Sequence, residues 1–128
     1  MKHLLFIALG GGIGAASRYL ISKNIQELSN QLIPFGTLFV NATGSFLIGF
    51  FFYFFDNVII SRDIRSLITI GFLGAYTTFS TYSLETINLF KDGEIKLGIT
   101  NFLLNNLICL VMVVLGFLTS KFIIKIIK

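Results

Sequence analysis

Four long apolar stretches run along the chain, and short polar segments separate them. The stretches cover about residues 4–22, 35–55, 64–89 and 97–124. Each approaches or exceeds the roughly 20 residues that an α-helix needs to cross the hydrocarbon core of a bilayer. The pattern predicts an all-α membrane protein, with residues 1–128 forming a single domain of four transmembrane helices and no separate soluble domain.

The third stretch carries a run of hydroxyl side chains near the depth of the membrane centre. Residues 74–83 read Gly-Ala-Tyr-Thr-Thr-Phe-Ser-Thr-Tyr-Ser. Hydroxyls at that depth raise the free energy unless they face protein, ions or water, and Gly, Ser and Thr weaken a helix interior. We expect the third helix to break near Thr77 and to expose backbone carbonyls, which are ligands for a small cation. The alternative is a continuous helix whose hydroxyls bond to the preceding turn.

Small and polar residues recur every four positions on the second and fourth predicted helices. They are Thr37, Asn41, Ser45 and Gly49 on the second helix, and Asn101, Asn105 and Cys109 on the fourth. Residues four apart lie on one face of a helix, so each set forms a stripe. Such a stripe either lines a polar pathway or bonds neighbouring helices, and the sequence leaves both interpretations open.

The first helix and the end of the third carry isolated residues of interest. Gly10 and Gly14 form a small-xxx-small pair, which predicts close helix packing. Arg18 either extends to the membrane interface or attracts anions at a pore mouth. Glu85 lies roughly 12 Å from the membrane centre by helix rise, so it either reaches the interface or caps a polar network.

The composition excludes several kinds of functional site. The chain is 55% hydrophobic and 12% charged, and it has one histidine, His3, and one cysteine, Cys109. These counts exclude an intrachain disulfide, a His/Cys metal cluster and a credible Ser-His-Asp triad, so we predict that the protein is not an enzyme. The net charge of +4 comes without a basic cluster or aromatic platform. It indicates positive residues flanking membrane spans and no nucleic-acid partner.

The positive charges in the connecting segments specify the orientation only weakly. One side would hold Lys2, Arg62, Arg65, Lys121, Lys125 and Lys128, and the other Arg18, Lys23, Lys91 and Lys96. This small bias is compatible with insertion in both orientations. Lys2, the apolar run and Ala15-Ala16-Ser17 have the general shape of a signal peptide, but three further spans favour a retained first helix.

Three motifs carry a family resemblance. They are Gly-Gly-x-Gly-Ala-x-x-Arg-Tyr at residues 11–19, Gly-Thr-Leu-x-Val-Asn-x-x-Gly-Ser-Phe at 36–46, and Gly-x-x-Thr-Thr-Phe-Ser-Thr-Tyr-Ser-x-Glu at 74–85. With its length and span order, the chain resembles the small fluoride channels of the Fluc or CrcB family. The resemblance covers the whole chain, and the third motif is the most specific.

The resemblance implies an antiparallel, dual-topology homodimer with two pores in the bacterial inner or plasma membrane. Such a dimer exports fluoride passively and lowers its cytoplasmic concentration. The family also implies a structural sodium ion (Na+) at the dimer centre, held by backbone carbonyls of Gly74 and Thr77 from both subunits. The implied partners are fluoride, a second copy of the chain and the lipid bilayer.

The fluoride path of the family corresponds to residues of the second and third motifs. These are Asn41, Phe79 and Tyr82, with Ser80 and Thr81 in the same segment and Thr37 on the stripe of Asn41. Amides and hydroxyls supply hydrogen-bond donors, and an aromatic ring has a positive edge. Tyr82 stands where the family usually has a second Phe, so we expect conduction to be retained but altered. Arg18, Glu85 and Asn105 are candidates for a vestibule or polar network.

A small dual-topology multidrug exporter coupled to protons is the alternative function. It has a similar size and helix count, but its chemistry needs a carboxylate buried in the membrane. Glu85 is off-centre, the other three helices have no interior acid, and the chain has no Trp for binding a cationic drug. A non-transporting accessory subunit would explain the packing glycines but not the hydroxyl run.

Overall fold

The computed structural model describes residues 1–127, which form helices joined by short connections, without any strand in that range. The helices are α1 (Lys2–Ser29), α2 (Phe35–Asn57), α3 (Arg62–Ser66), a π-helix (Leu67–Leu73), α4 (Gly74–Tyr76), α5 (Phe79–Lys91) and α6 (Ile95–Ile127). Helix α2 packs along α6, and α1 packs against the π-helix and α4.

Three of these helices, α1, α2 and α6, are long and apolar enough to cross a membrane. Helix α1 continues to Ser29, beyond the predicted end of the first span. The third apolar stretch is divided among α3, the π-helix, α4 and α5, so no single helix covers it.

The division lies at Thr77 and Thr78. Both residues have extended backbone angles, with φ −87° and ψ 156° at Thr77 and φ −150° and ψ 118° at Thr78. Thr78 then caps α5, because its side-chain oxygen accepts the backbone N–H of Thr81. The hydroxyl-rich sequence thus ends one helix and begins the next at the position where the sequence predicts a break.

Glycines bring α1 into backbone contact with the π-helix. A methyl group on Gly10 or Gly14 would overlap the carbonyl oxygens of Leu67 and Phe72. Gly12 faces away and has open space around it. The close packing predicted for Gly10 and Gly14 is therefore confirmed, and it places α1 beside the segment that leads to the break.

Gln26 organises the connection between α1 and α2. Its side-chain nitrogen donates to the carbonyls of Gln31 and Ile33, at 2.8 and 3.2 Å, and its side-chain oxygen accepts the backbone N–H of Gly36 at 3.1 Å. The bond with Gly36 satisfies an N–H of the first turn of α2, which has no partner within the helix, and the other two satisfy carbonyls of the connection. The register of α2 is consequently tied to α1.

Candidate functional site

The break at Thr77 and Thr78 redirects two backbone N–H groups. In a continuous helix, the N–H of Thr78 would bond the carbonyl of Gly74, and the N–H of Thr81 would bond that of Thr77. Instead, the N–H of Thr78 donates to the side-chain oxygen of Asn41 at 2.8 Å. The N–H of Thr81 donates to the hydroxyl oxygen of Thr78 at 3.2 Å. The carbonyls of Gly74 and Thr77 therefore lose the donors that a helix would supply.

Asn41, which lies on α2, stabilises the break through hydrogen bonds. Besides accepting from the N–H of Thr78, its side-chain nitrogen donates to the carbonyl of Thr78 at 3.0 Å and to the side-chain oxygen of Asn105 at 3.1 Å. Both hydrogens of the amide are thereby engaged, and only 8% of the residue is exposed. Asn41 thus bonds the backbone on both sides of Thr78 and joins it to α6.

The polar stripe of α6 continues this network. The side-chain nitrogen of Asn105 lies 3.2 and 3.0 Å from the backbone and side-chain oxygens of Asn101. Asn101 donates to the hydroxyl of Thr86 at 2.9 Å, and Thr86 donates to the carbonyl of Tyr82 at 2.8 Å. Interhelical bonding, one of the two interpretations of the stripes, is thus present at Asn41, Asn101 and Asn105.

A cavity of about 380 Å³ lies beside the break. Residues from α2, the break, α5 and α6 line it, including Asn41, Ser45, Thr77, Phe79, Tyr82 and Asn105. The break thus opens onto a space lined by polar, aromatic and aliphatic side chains.

Tyr82 and Phe79 form an aromatic pair on this cavity. Their ring centroids are 5.2 Å apart and the rings are inclined at 70°. Tyr82 is only 4% exposed, and its hydroxyl accepts a hydrogen bond from the side-chain nitrogen of Asn106 at 2.8 Å. Phe79, by contrast, is 75% exposed. One ring is therefore fixed within the protomer, and its partner projects from the surface.

A second cavity, of about 240 Å³, lies between α1, α2 and α5. Thr37 donates to one carboxylate oxygen of Glu85 at 2.7 Å, and the other carboxylate oxygen is buried without a hydrogen-bond partner among residues 1–127. Lys23 and Thr81 also line this cavity. Thr37, Thr81 and Glu85 thus line this cavity, whereas Tyr82 and Asn105 line the larger one.

Comparison with known proteins identifies the family. The sequence profile described as "CrcB-like protein, Camphor Resistance (CrcB)" matches residues 5–117. The chain belongs to this family. A protein of Shewanella loihica named "Fluoride-specific ion channel FluC" is 47% identical over 116 residues, which cover 91% of the chain and 94% of the relative. A protein of Magnetococcus marinus with the same name is 40% identical over 122 residues, which cover 94% of the chain and 99% of the relative.

Family membership, together with the three apolar helices, makes this CrcB-like protein a multi-pass protein of the bacterial cell membrane. Its relatives are named as ion channels, so the chain belongs to an ion-channel family and is not an enzyme. The sequence resemblance to the Fluc or CrcB family is thereby confirmed.

The structure distributes the predicted site residues of this CrcB-like protein between the two cavities. Asn41, Phe79, Tyr82 and Asn105 line the larger cavity together with Gly74 and Thr77; Thr37, Thr81 and Glu85 line the smaller. Ser80 is exposed, and its hydroxyl lies 3.4 Å from that of Thr78. Arg18 lines neither of these cavities.

The larger cavity also contains two hydrogen-bonding residues, Thr78 and Asn106, to which the sequence alone assigned no role. Thr78 is the residue that Asn41 holds, and Asn106 is the partner of the Tyr82 hydroxyl. Asn106 is 24 residues from Tyr82 in the chain. No spacing within one helix relates two residues so far apart, so only the packing of α5 against α6 reveals the pair.

Proposed function

We propose that this CrcB-like protein is a fluoride-selective channel, which exports fluoride passively and so lowers its concentration in the cytoplasm. The observation that carries the proposal is the 47% identity to a relative named "Fluoride-specific ion channel FluC" over 91% of the chain. Fluoride is small and strongly hydrated, so its path must supply donors and positive ring edges without trapping the ion. The larger cavity contains amide, hydroxyl and phenyl groups of this kind.

The proposal includes a fourth, broken membrane pass and an antiparallel homodimer. The segment from α3 to α5 would form that pass, with its break near the membrane centre. Gly74, Phe79 and Ser80 are exposed on the protomer at this level. Backbone and hydroxyl groups are unfavourable against lipid, so a second copy of the chain is the cover that the proposal assigns to them. The weak charge bias supports insertion of the two copies in opposite orientations.

The proposal also includes a structural Na+ at the centre of the dimer. The backbone carbonyls of Gly74 and Thr77 would hold it, since the break has diverted the N–H groups of Thr78 and Thr81 from them. Carbonyl oxygens are suitable ligands for this cation. When bound, the ion would supply a fixed positive charge near the anion path. Asn41 keeps the Gly74 carbonyl available because it retains the N–H of Thr78, and the Thr78 hydroxyl does the same for the Thr77 carbonyl because it retains the N–H of Thr81.

The proton-coupled multidrug exporter finds less support. Such a transporter needs an exchangeable carboxylate at the substrate site. Glu85 lies in the smaller cavity, where Thr37 donates to it, and the larger cavity has no acidic residue in its lining. The relatives named above are ion channels.

Efflux from liposomes tests the proposed function. The purified protein is reconstituted into liposomes loaded with equal fluoride and chloride, and ion-selective electrodes record both anions after external dilution. A potassium gradient with valinomycin prevents a membrane potential from limiting the flux. Fluoride release without chloride release supports a fluoride channel. Proton movement driven by a cationic drug, without fluoride release, would establish the exporter instead, and protein-free liposomes measure the leak.

A further inference from the structure

Asn106 restricts the hydroxyl of Tyr82 to one hydrogen-bonding role. The side-chain nitrogen of Asn106 lies 2.7 Å from the carbonyl oxygen of Phe102 and 2.8 Å from the hydroxyl oxygen of Tyr82. A carbonyl can only accept, so the contact with Phe102 fixes which end of the amide is the nitrogen. Because that same nitrogen faces Tyr82, the phenolic oxygen accepts, and its own hydrogen must point elsewhere.

The hydroxyl hydrogen of Tyr82 has no acceptor among residues 1–127. The hydroxyl's one hydrogen bond in that range is the one it accepts from Asn106. Tyr82 and Asn106 both line the larger cavity, and Tyr82 is otherwise buried. The hydroxyl hydrogen is therefore uncommitted on a side chain that lines the cavity.

The amides next to this cavity have already used their donors. Both hydrogens of the Asn41 amide are bonded, to the carbonyl of Thr78 and to the side chain of Asn105. The amide of Asn105 donates in turn to the backbone and side-chain oxygens of Asn101. An anion that enters the cavity consequently meets the hydroxyl of Tyr82 as a donor that is not already committed.

We propose that Tyr82 is a direct hydrogen-bond donor to the anion in the larger cavity, and that Asn106 is the positioning residue that turns its O–H group toward that anion. The proposal rests on the proposed fluoride function and adds a residue pair to it. A hydrogen bond from a neutral hydroxyl to an anion is charge-assisted, and so it is stronger than one between neutral groups. The ring of Tyr82 packs against the inclined ring of Phe79, which lines the same cavity.

The contribution of Tyr82 and Asn106 to anion binding is measured as a change in the fluoride concentration at half-maximal efflux. Tyr82→Phe removes the donor and leaves the ring, and we expect it to raise this concentration about tenfold, the effect of losing one hydrogen bond to a charged group. Asn106→Leu leaves the hydroxyl free to rotate, and we expect a smaller rise of about threefold. In the Tyr82→Phe background, Asn106→Leu should have no further effect, because the two residues act as a unit.

Tyr53→Phe is the matched control. Tyr53 packs on Phe117 and lines neither cavity described above, so this replacement should leave efflux unchanged.

Asn106→Asp distinguishes positioning from a structural contribution. A carboxylate at position 106 accepts the O–H of Tyr82 and turns this donor away from the cavity. Its negative charge also repels an anion, but that repulsion is the same whether residue 82 is Tyr or Phe. We therefore expect Asn106→Asp to raise the half-maximal concentration more when Tyr82 is present than in the Tyr82→Phe background. Equal effects in the two backgrounds would show that Asn106 does not act through Tyr82.

The outcomes separate this inference from the proposed function. If the unmodified protein releases no fluoride, the proposed function fails and the inference fails with it. If it releases fluoride with saturation and Tyr82→Phe leaves the half-maximal concentration unchanged, the inference is overturned while the function stands. Size-exclusion profiles of all variants establish that a lower flux does not reflect aggregated protein.

Discussion

Replacement of Asn41 tests whether one side chain maintains the helix break. Asn41→Ala removes three hydrogen bonds at once: two with the backbone of Thr78 and one with the side chain of Asn105. Thr78 is buried next to a cavity. Loss of its hydrogen bonds to Asn41 therefore destabilises the position where α4 and α5 separate.

The size of the effect follows from those three bonds. Hydrogen bonds between helices in membrane proteins contribute about 0.6 kcal/mol on average and at most about 1.7 kcal/mol. We therefore expect Asn41→Ala to lower the free energy of unfolding by roughly 2 to 5 kcal/mol. Asn41→Asp should be more damaging than Asn41→Ala at alkaline pH. Its carboxylate still accepts the N–H of Thr78, but it also faces two acceptor oxygens, which repel it.

Unfolding in mixed micelles, with SDS as denaturant and helical circular dichroism as the signal, measures the free energies at a fixed protein concentration. Asn24→Ala, an exposed position on α1, is the control and should change the free energy by no more than about 0.5 kcal/mol. Hydrogen exchange of the segment that contains Thr78 should become faster only in the Asn41 variants.

Two results would refute the reasoning on Asn41. A stability of Asn41→Ala equal to that of the Asn24→Ala control would show that the three bonds contribute nothing. A milder effect of Asn41→Asp than of Asn41→Ala would show that the amide does not donate to Thr78 and Asn105. Either result would leave the break to be explained by the local sequence alone.

Three further predictions concern packing, the first turn and the cation. Gly14→Ala should lower the free energy of unfolding by about 1 to 3 kcal/mol, because its methyl group would overlap a backbone carbonyl of the π-helix, whereas Gly12→Ala should not lower it. Gln26→Ala removes three bonds in the connection between α1 and α2 and should lower the free energy of unfolding by about 1 to 3 kcal/mol in the same assay, while exposed Gln31→Ala should be neutral. Replacement of sodium by a large organic cation should slowly stop fluoride efflux from liposomes; persistent efflux would contradict a structural Na+ at the break.

Local sequence predicted the break because the signals are local. Glycine and hydroxyl residues between positions 74 and 83 weaken the helix wherever the segment lies. The residues that stabilise the break lie elsewhere in the chain: Asn41 is 37 residues from Thr78, and its bonds were not predictable from spacing. The sequence indicated that Asn41 is polar on an apolar helix, but it left open whether the amide would line a path or bond a neighbour.

The division of the candidate residues into two cavities also depended on packing. Tyr82 and Glu85 are three residues apart, yet Tyr82 lines the larger cavity with Asn105, and Glu85 lines the smaller with Thr37. Their separation follows from the different neighbours of α5, with α6 on the side of Tyr82 and α2 on the side of Glu85. Residues three apart lie close together on one helix surface, so their spacing does not separate them. The helices that pack against α5 decide which cavity each residue lines.

The sequence by itself determined the all-helical class, the apolar stretches, the family and the place of the helix break. These depend on composition, on periodicity and on residues close together in the chain. Only the tertiary structure decided which polar groups are already bonded and which remain available to an ion. A donor in a membrane protein is satisfied by whichever acceptor the packing brings within about 3 Å. That acceptor usually belongs to another helix, so the local sequence does not reveal it.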